Sequence, residues 1–177
     1  MEQDFEKLLH SDLHRFLMSC GQCDSIFPLC PDVEDKWELI GNSFLPDAVK
    51  EFDLYPTAVL AWIFYVGMAM AQFWHEDWEL YCNMPDPYHY LRDKRGFDRL
   101  DEYVREDVLL LRGDDYARAE KLAGDCAART HSMLLHAHLE PGTPQAFKAF
   151  ISCLHQLYLA GMAARLHQLG YEMKKFS

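Results

Sequence analysis

Apolar residues recur along most of this chain at three- and four-residue steps, the spacing that gathers side chains on one face of an α-helix. Phe5, Leu8, Leu9, Leu13, Phe16, Leu17 and Cys20 form the first such series, and Gly21 is placed to end it. Residues 21–31, "GQCDSIFPLCP", read as a loop. Asp32 can then cap a helix carrying Val33, Trp37, Ile40 and Phe44, with Pro46-Asp47 opening another short turn. Pro56 is placed to begin a long central helix, over roughly residues 57–81, and "CNMPDPY" breaks it because each proline removes an amide donor. A short helix runs toward Gly96. Phe97, Leu100, Val104, Val108 and Leu111 define the next, which Gly113 ends. Asp114 and Asp115 supply N-terminal charge to a helix reaching about Leu139, its core face Ala119, Leu122, Cys126, Met133 and Leu134. In "EPGTPQ", Thr143 can accept the first free amides and Pro144 fits the first helical position. The last helix carries Phe147, Phe150, Ile151, Leu154, Leu157, Tyr158, Met162, Leu166 and Leu169, and stops at Gly170. No stretch alternates with a period of two, so the pattern predicts an all-α, single-domain multihelical bundle over residues 1–177, with about six or seven helices around the central one.

The central helix contains the most apolar stretch, fourteen residues from Ala58 to Ala71 without a polar side chain. A membrane span needs about 20 and is usually flanked by basic residues. Here the flanks are Glu51, Asp53, Glu76, Asp77 and Glu79, so a buried core helix is the better reading. At about 100° per residue, Leu60, Ile63, Ala71, Trp74 and Trp78 cluster around Gly67. Ala58, Ala61, Tyr65 and Met68 lie on a separate line that turns polar at Gln72, His75, Glu76 and Glu79. "YVGMAMA" at 65–71 echoes "YLAGMAA" at 158–164, and small side chains allow backbones to approach, so Gly67/Ala71 and Ala160/Ala164 are expected where the two helices cross.

Composition narrows the function classes. The 177 residues are half apolar and a quarter charged, as in an ordinary globular domain, which at this length buries roughly 70% of its unfolded surface without needing a disulfide or structural metal. Seventeen basic against twenty-eight acidic residues give a net charge of -11, which repels nucleic acid and anionic membranes. The acidic start, Met1-Glu2-Gln3-Asp4, lacks the features of a signal peptide, so a soluble, cytoplasmic protein with reduced thiols is expected.

Three constellations offer chemistry. His75 and Glu79, four residues apart, could ligate a divalent metal completed from another helix by His131 and His138 of "THSMLLHAHLE". "HEDWE" lacks the second histidine of a zinc-protease motif, and the simpler reading, a helix end emerging into water, outweighs the metal. Cys20, Cys23 and Cys30, preceded by His10 and His14, include a C-x-x-C pair, but the second half of a zinc ribbon is missing and so is the βαβ context of a thiol oxidoreductase. His10 and His14 are expected in solvent on the first helix. Glycine-rich phosphate loops and nucleophile elbows are absent from the sequence.

The leading expectation is therefore a noncatalytic protein-interaction or homodimeric module without a cofactor. Its support is the abundance of aromatic and methionine side chains and the lack of a complete catalytic set. The alternatives are a metal-dependent helical-bundle enzyme using His75, Glu79, His131 and His138, and a small-molecule sensor with a pocket lined by Trp62, Trp74 and Trp78.

Overall fold

A computed structural model describes residues 2–172, and within them the chain is helical with no strand. Helix α1 (Glu2–Ser19) buries Leu9, Leu13 and Leu17, the four-residue series seen in the sequence, and ends at Gly21 with φ 70°. The loop closes on a single turn, α2 (Pro31–Glu34), followed by α3 (Trp37–Phe52), α4 (Pro56–Tyr81) and α5 (Pro87–Arg95). A 3-10 turn (Phe97–Arg99), the short α6 (Leu100–Tyr103) and a π-turn (Val104–Val108) lead into α7 (Gly113–His136) and α8 (Pro144–Gln168).

Local chemistry explains most of these boundaries. Proline occupies the first position of α2, α4, α5 and α8, where its missing donor has no partner to lose. Asp86 accepts the His89 amide at the start of α5, and Thr143 accepts the Ala146 amide at the start of α8. Gly96 and Gly170, at φ 89° and 92°, turn the chain out of α5 and α8 through the left-handed region.

Three boundaries differ from the sequence expectation. Asp32 does not cap: Cys30 is the N-cap and Pro31 the first helical residue, while Glu34 accepts the Cys30 amide at 2.7 Å. Pro46 opens no turn and sits inside α3, where both it and Asn42, whose carbonyl it leaves free, are exposed to water. The next residue, Asp47, explains why the helix continues. Its carboxylate accepts hydrogen bonds from the buried Tyr88 hydroxyl (2.6 Å) and from Arg92 (3.0 Å), fixing α3 to α5. Third, the helix expected over 97–111 is a 3-10, α and π succession, with Leu109 N bonded to Val104 O across five residues. That wide turn carries Arg105 inward, 2% exposed, onto Asp101 and Glu120 at 2.7 Å each and beneath the ring of Tyr116. Asp101 is itself half-buried, and desolvation raises its pKa against the pull of Arg105.

Helix α4 is the centre. Every residue from Val59 to Phe73 except Trp62 is buried, so its apolar composition is spent on neighbouring helices on all sides. It is long and apolar enough to cross a membrane by composition, yet 78% of its most apolar window is enclosed within the bundle. Its most extensive partner is α8, then α7. The α4–α8 crossing runs through two glycines. A Cβ on Gly67 would overlap the Tyr158 carbonyl oxygen and press on Met162 N at 3.0 Å, and one on Gly161 would overlap the Phe64 carbonyl oxygen. The crossing expected from the small-residue echo is thus present at Gly67, and Gly161, between the expected Ala160 and Ala164, is its counterpart. Tyr158 then reaches past it to donate to Val33 O at 2.8 Å, binding α2 to the same pair.

Two substitutions at this crossing and one away from it make a direct comparison. Gly67→Leu and Gly161→Ala each place atoms where a backbone already lies and are expected to destabilise by roughly 1–3 kcal/mol or more. Gly124, in exposed mid-α7 with nothing within 4 Å of its Cβ position, should gain about 0.5–1 kcal/mol as Gly124→Ala. Urea unfolding of the three variants checks this, and equal midpoints would refute the crossing.

Candidate functional site

The four residues expected around a metal do not converge. His75 and Glu79 are separated by a break at Asp77, whose φ of -166° and ψ of 83° are extended, so the four-residue spacing no longer sets them on one face. The Asp77 carboxylate restarts the helix by accepting the Leu80 amide. His75 is exposed, its Nδ1 3.0 Å from the Tyr171 hydroxyl. His131 packs edge-on to Phe52 at the opposite end of α4, roughly 30 Å from His75 at 1.5 Å per residue. His138 lies beyond the end of α7, beside His136. Among the described residues, no three histidine, cysteine, aspartate or glutamate side chains form a metal-holding group.

The other sequence candidates are likewise dispersed. Cys23 and Cys30 are buried and Cys20 is exposed, and burial pushes the Cys23 and Cys30 thiols up. Protonated, enclosed thiols behave as small apolar groups. His10 and His14 are not in open solvent as expected: both rings pack edge-on to Phe27 of the loop, His14 Nε2 lies 2.8 Å from Asp24 O, and His10 Nδ1 lies 2.9 Å from Gln156 Oε1. These histidines dock the loop and α8 against α1. The tryptophans do not share a pocket either. Trp62 donates to Phe97 O, Trp74 donates to Asp32, and Trp78 lies under Lys36.

A broad concavity arises where sequence periodicity gives no warning. The C-terminal ends of α3 and α7, the 139–143 linker and the start of α8 enclose a groove of about 980 Å³. Its floor is Phe52, Leu134 and Phe150, with the Phe52 and Phe150 rings 4.8 Å apart in an edge-on contact. Around the floor stand Val49, Leu135 and Phe147, 56%, 61% and 50% exposed, values high enough to leave each of them half or more in water. Phe147 stands in the apolar series of α8, yet most of the first turn of that helix is exposed to water. Leu135 directly follows Leu134 and points about 100° away from it, which sets Leu134 in the floor and Leu135 in water.

Away from the groove, α8 carries a partly buried histidine. His155 of α8 stacks on Trp37 at 4.9 Å between ring centres, with Glu6 Oε1 3.6 Å away and Glu34 also acting on it. Burial depresses its pKa and outweighs both carboxylates.

Comparison of the chain with family models, curated proteins and solved structures finds no match. The geometry of the molecule itself is what a functional reading rests on.

For His155 the sign follows from linkage. The folded state binds its proton less readily than the unfolded chain, so its contribution is fully present above the unfolded value of about 6.5 and is lost as pH falls below it toward the depressed folded value. The loss of melting temperature between pH 7.5 and pH 5.5 should be smaller in His155→Gln than in the parent protein, measured by calorimetry at both values.

Proposed function

We propose that this protein is a noncatalytic helical module that self-associates, two copies meeting through the α3–α7–α8 groove. The observation that carries the reading is that one patch holds both halves of a self-complementary contact: a hollow lined by Phe52, Leu134 and Phe150, and protruding apolar side chains at Val49, Leu135 and Phe147. A two-fold axis sets each copy's projections against the other's hollow, the arrangement an isologous interface requires. Exposed apolar patches of this kind carry binding energy when a partner removes them from water.

Charge favours a second copy on this face. The chain's net charge of -11 opposes contact between its acidic surfaces, but here Lys50 adjoins the groove residue Val49 in sequence, alongside Glu51, Asp53 and Glu140. A rim of both signs lets cations of one copy meet carboxylates of the other. The lining itself is nearly free of groups suited to acid–base or nucleophilic chemistry, Asp53 and Thr143 being its polar side chains. That composition supports docking over catalysis.

Sedimentation velocity across a wide concentration range tests the proposal. The parent chain should pass from monomer to dimer, with a melting temperature that rises with concentration. Leu135→Glu and Phe147→Asp replace side chains already half in water, so the monomer should fold normally, while dimerisation weakens by at least about 30-fold, the equivalent of about 2 kcal/mol. A parent chain that stays monomeric throughout, or a dimer indifferent to both substitutions, overturns it.

A further inference from the structure

At the other end of α8 lies a buried cation whose charge no carboxylate meets directly. Arg165 is 9% exposed, yet among the described residues it forms no ion pair. Its partners are neutral: Nε donates to Gln72 Oε1 at 2.8 Å and Nη1 to Gln168 Oε1 at 3.1 Å. Both amides are held in turn, Gln72 donating to Glu76 at 2.8 Å and Gln168 donating to Gln22 at 2.9 Å. Burial lowers the Arg165 pKa, and Glu76, acting from beyond Gln72, only partly opposes it. Arg105 shows what this fold does elsewhere with a buried guanidinium, giving it two carboxylates at 2.7 Å. A buried charge left to amides is costly unless something else completes it.

The space for that partner is present. Arg165 lines a cavity of about 280 Å³ with Gln22, Gln168, Leu111, Ala119, Leu122, Asp115 and Arg118. A guanidinium has five N–H donors, and the two glutamines use two of them. Nη2 has no acceptor among the described residues and is not sealed from solvent, and Arg165 lines the cavity. The polar end of the cavity is thus a fixed cation, braced by Gln72 and Gln168, and the wall beyond it is apolar through Leu111, Ala119 and Leu122. Arg118 pairs with Asp115, so the two together add no net charge to the cavity.

We infer that the Arg165 cavity binds a small organic monocarboxylate, its carboxylate on the Arg165 guanidinium and its apolar body against Leu111, Ala119 and Leu122. A single buried cation matches a single negative charge. The amides of Gln22 and Gln168 border the site and report its occupancy. The cavity volume lies near the lower end of small-molecule sites, about 300 Å³, which restricts the ligand to a short chain or a single ring.

Hexanoate is a suitable probe, with hexanamide as its uncharged counterpart and inorganic phosphate as the alternative anion. Titration followed by NMR should show hexanoate moving the Gln22 and Gln168 side-chain amide signals saturably, with a dissociation constant below about 1 mM, while hexanamide leaves them unmoved. Arg165→Gln removes the cation. Ala119→Phe fills the cavity and leaves Arg165 in place, so it decides the matter even where Arg165→Gln fails to fold, and each is expected to weaken binding at least about tenfold. Hexanoate that does not saturate these signals, equal binding of hexanamide, retention of affinity in Ala119→Phe, or displacement by phosphate at comparable concentration would each overturn the assignment.

Discussion

The contact between the backbones of α4 and α8 is the constraint from which the rest of this fold follows. Gly67 faces the Tyr158 carbonyl and Gly161 faces the Phe64 carbonyl, with no room for a side chain at either. Two helices that touch through glycine bring their neighbouring rows together as well, and Ile63, Ala71, Leu157, Ala160 and Ala164 are all fully or almost fully buried beside the crossing. With α8 on one side and α7, α3 and α2 around the others, α4 is enclosed along most of its length. The apolar stretch that resembles a membrane span in composition is the consequence of being the one helix that every layer needs.

That same arrangement decides where polar groups are left. The two enclosed arginines are met in different ways. Arg105 is accommodated by a π-turn that turns it onto Asp101 and Glu120. Arg165 enters where α4 begins to turn polar at Gln72 and α8 nears its end, and it meets amides and a cavity. The apolar groove belongs to the opposite margin, where α3 and α7 end and α8 begins. The two surfaces proposed to bind are therefore both products of helix ends that extend past the crossing.

Periodicity revealed the helices and the central crossing because both are local properties of the sequence. Leu9, Leu13 and Leu17 must share a face whatever surrounds them, and a glycine amid alanines on two long helices has few other uses. Pro46 was misread as a turn because what carries α3 through it, Asp47 bonded to Tyr88 and Arg92, comes from 41 and 45 residues away. The pairing of His75 with Glu79 assumed an unbroken helix, and Asp77 is a residue able to cap a new start from within one. Arg165 gave no signal at all: it reads as a surface cation near a helix end, and only the packing of α4 and α7 over it makes it a buried one.

Because α4 and α8 are held through backbone contact, they should open only when the whole domain does. Native-state hydrogen exchange across a denaturant series measures this directly. The slowest amides of residues 59–73 and 154–166 should share one opening free energy and one denaturant dependence, equal to those of global unfolding. Exchange in α8 through a smaller, denaturant-insensitive opening while α4 remains protected would contradict the account.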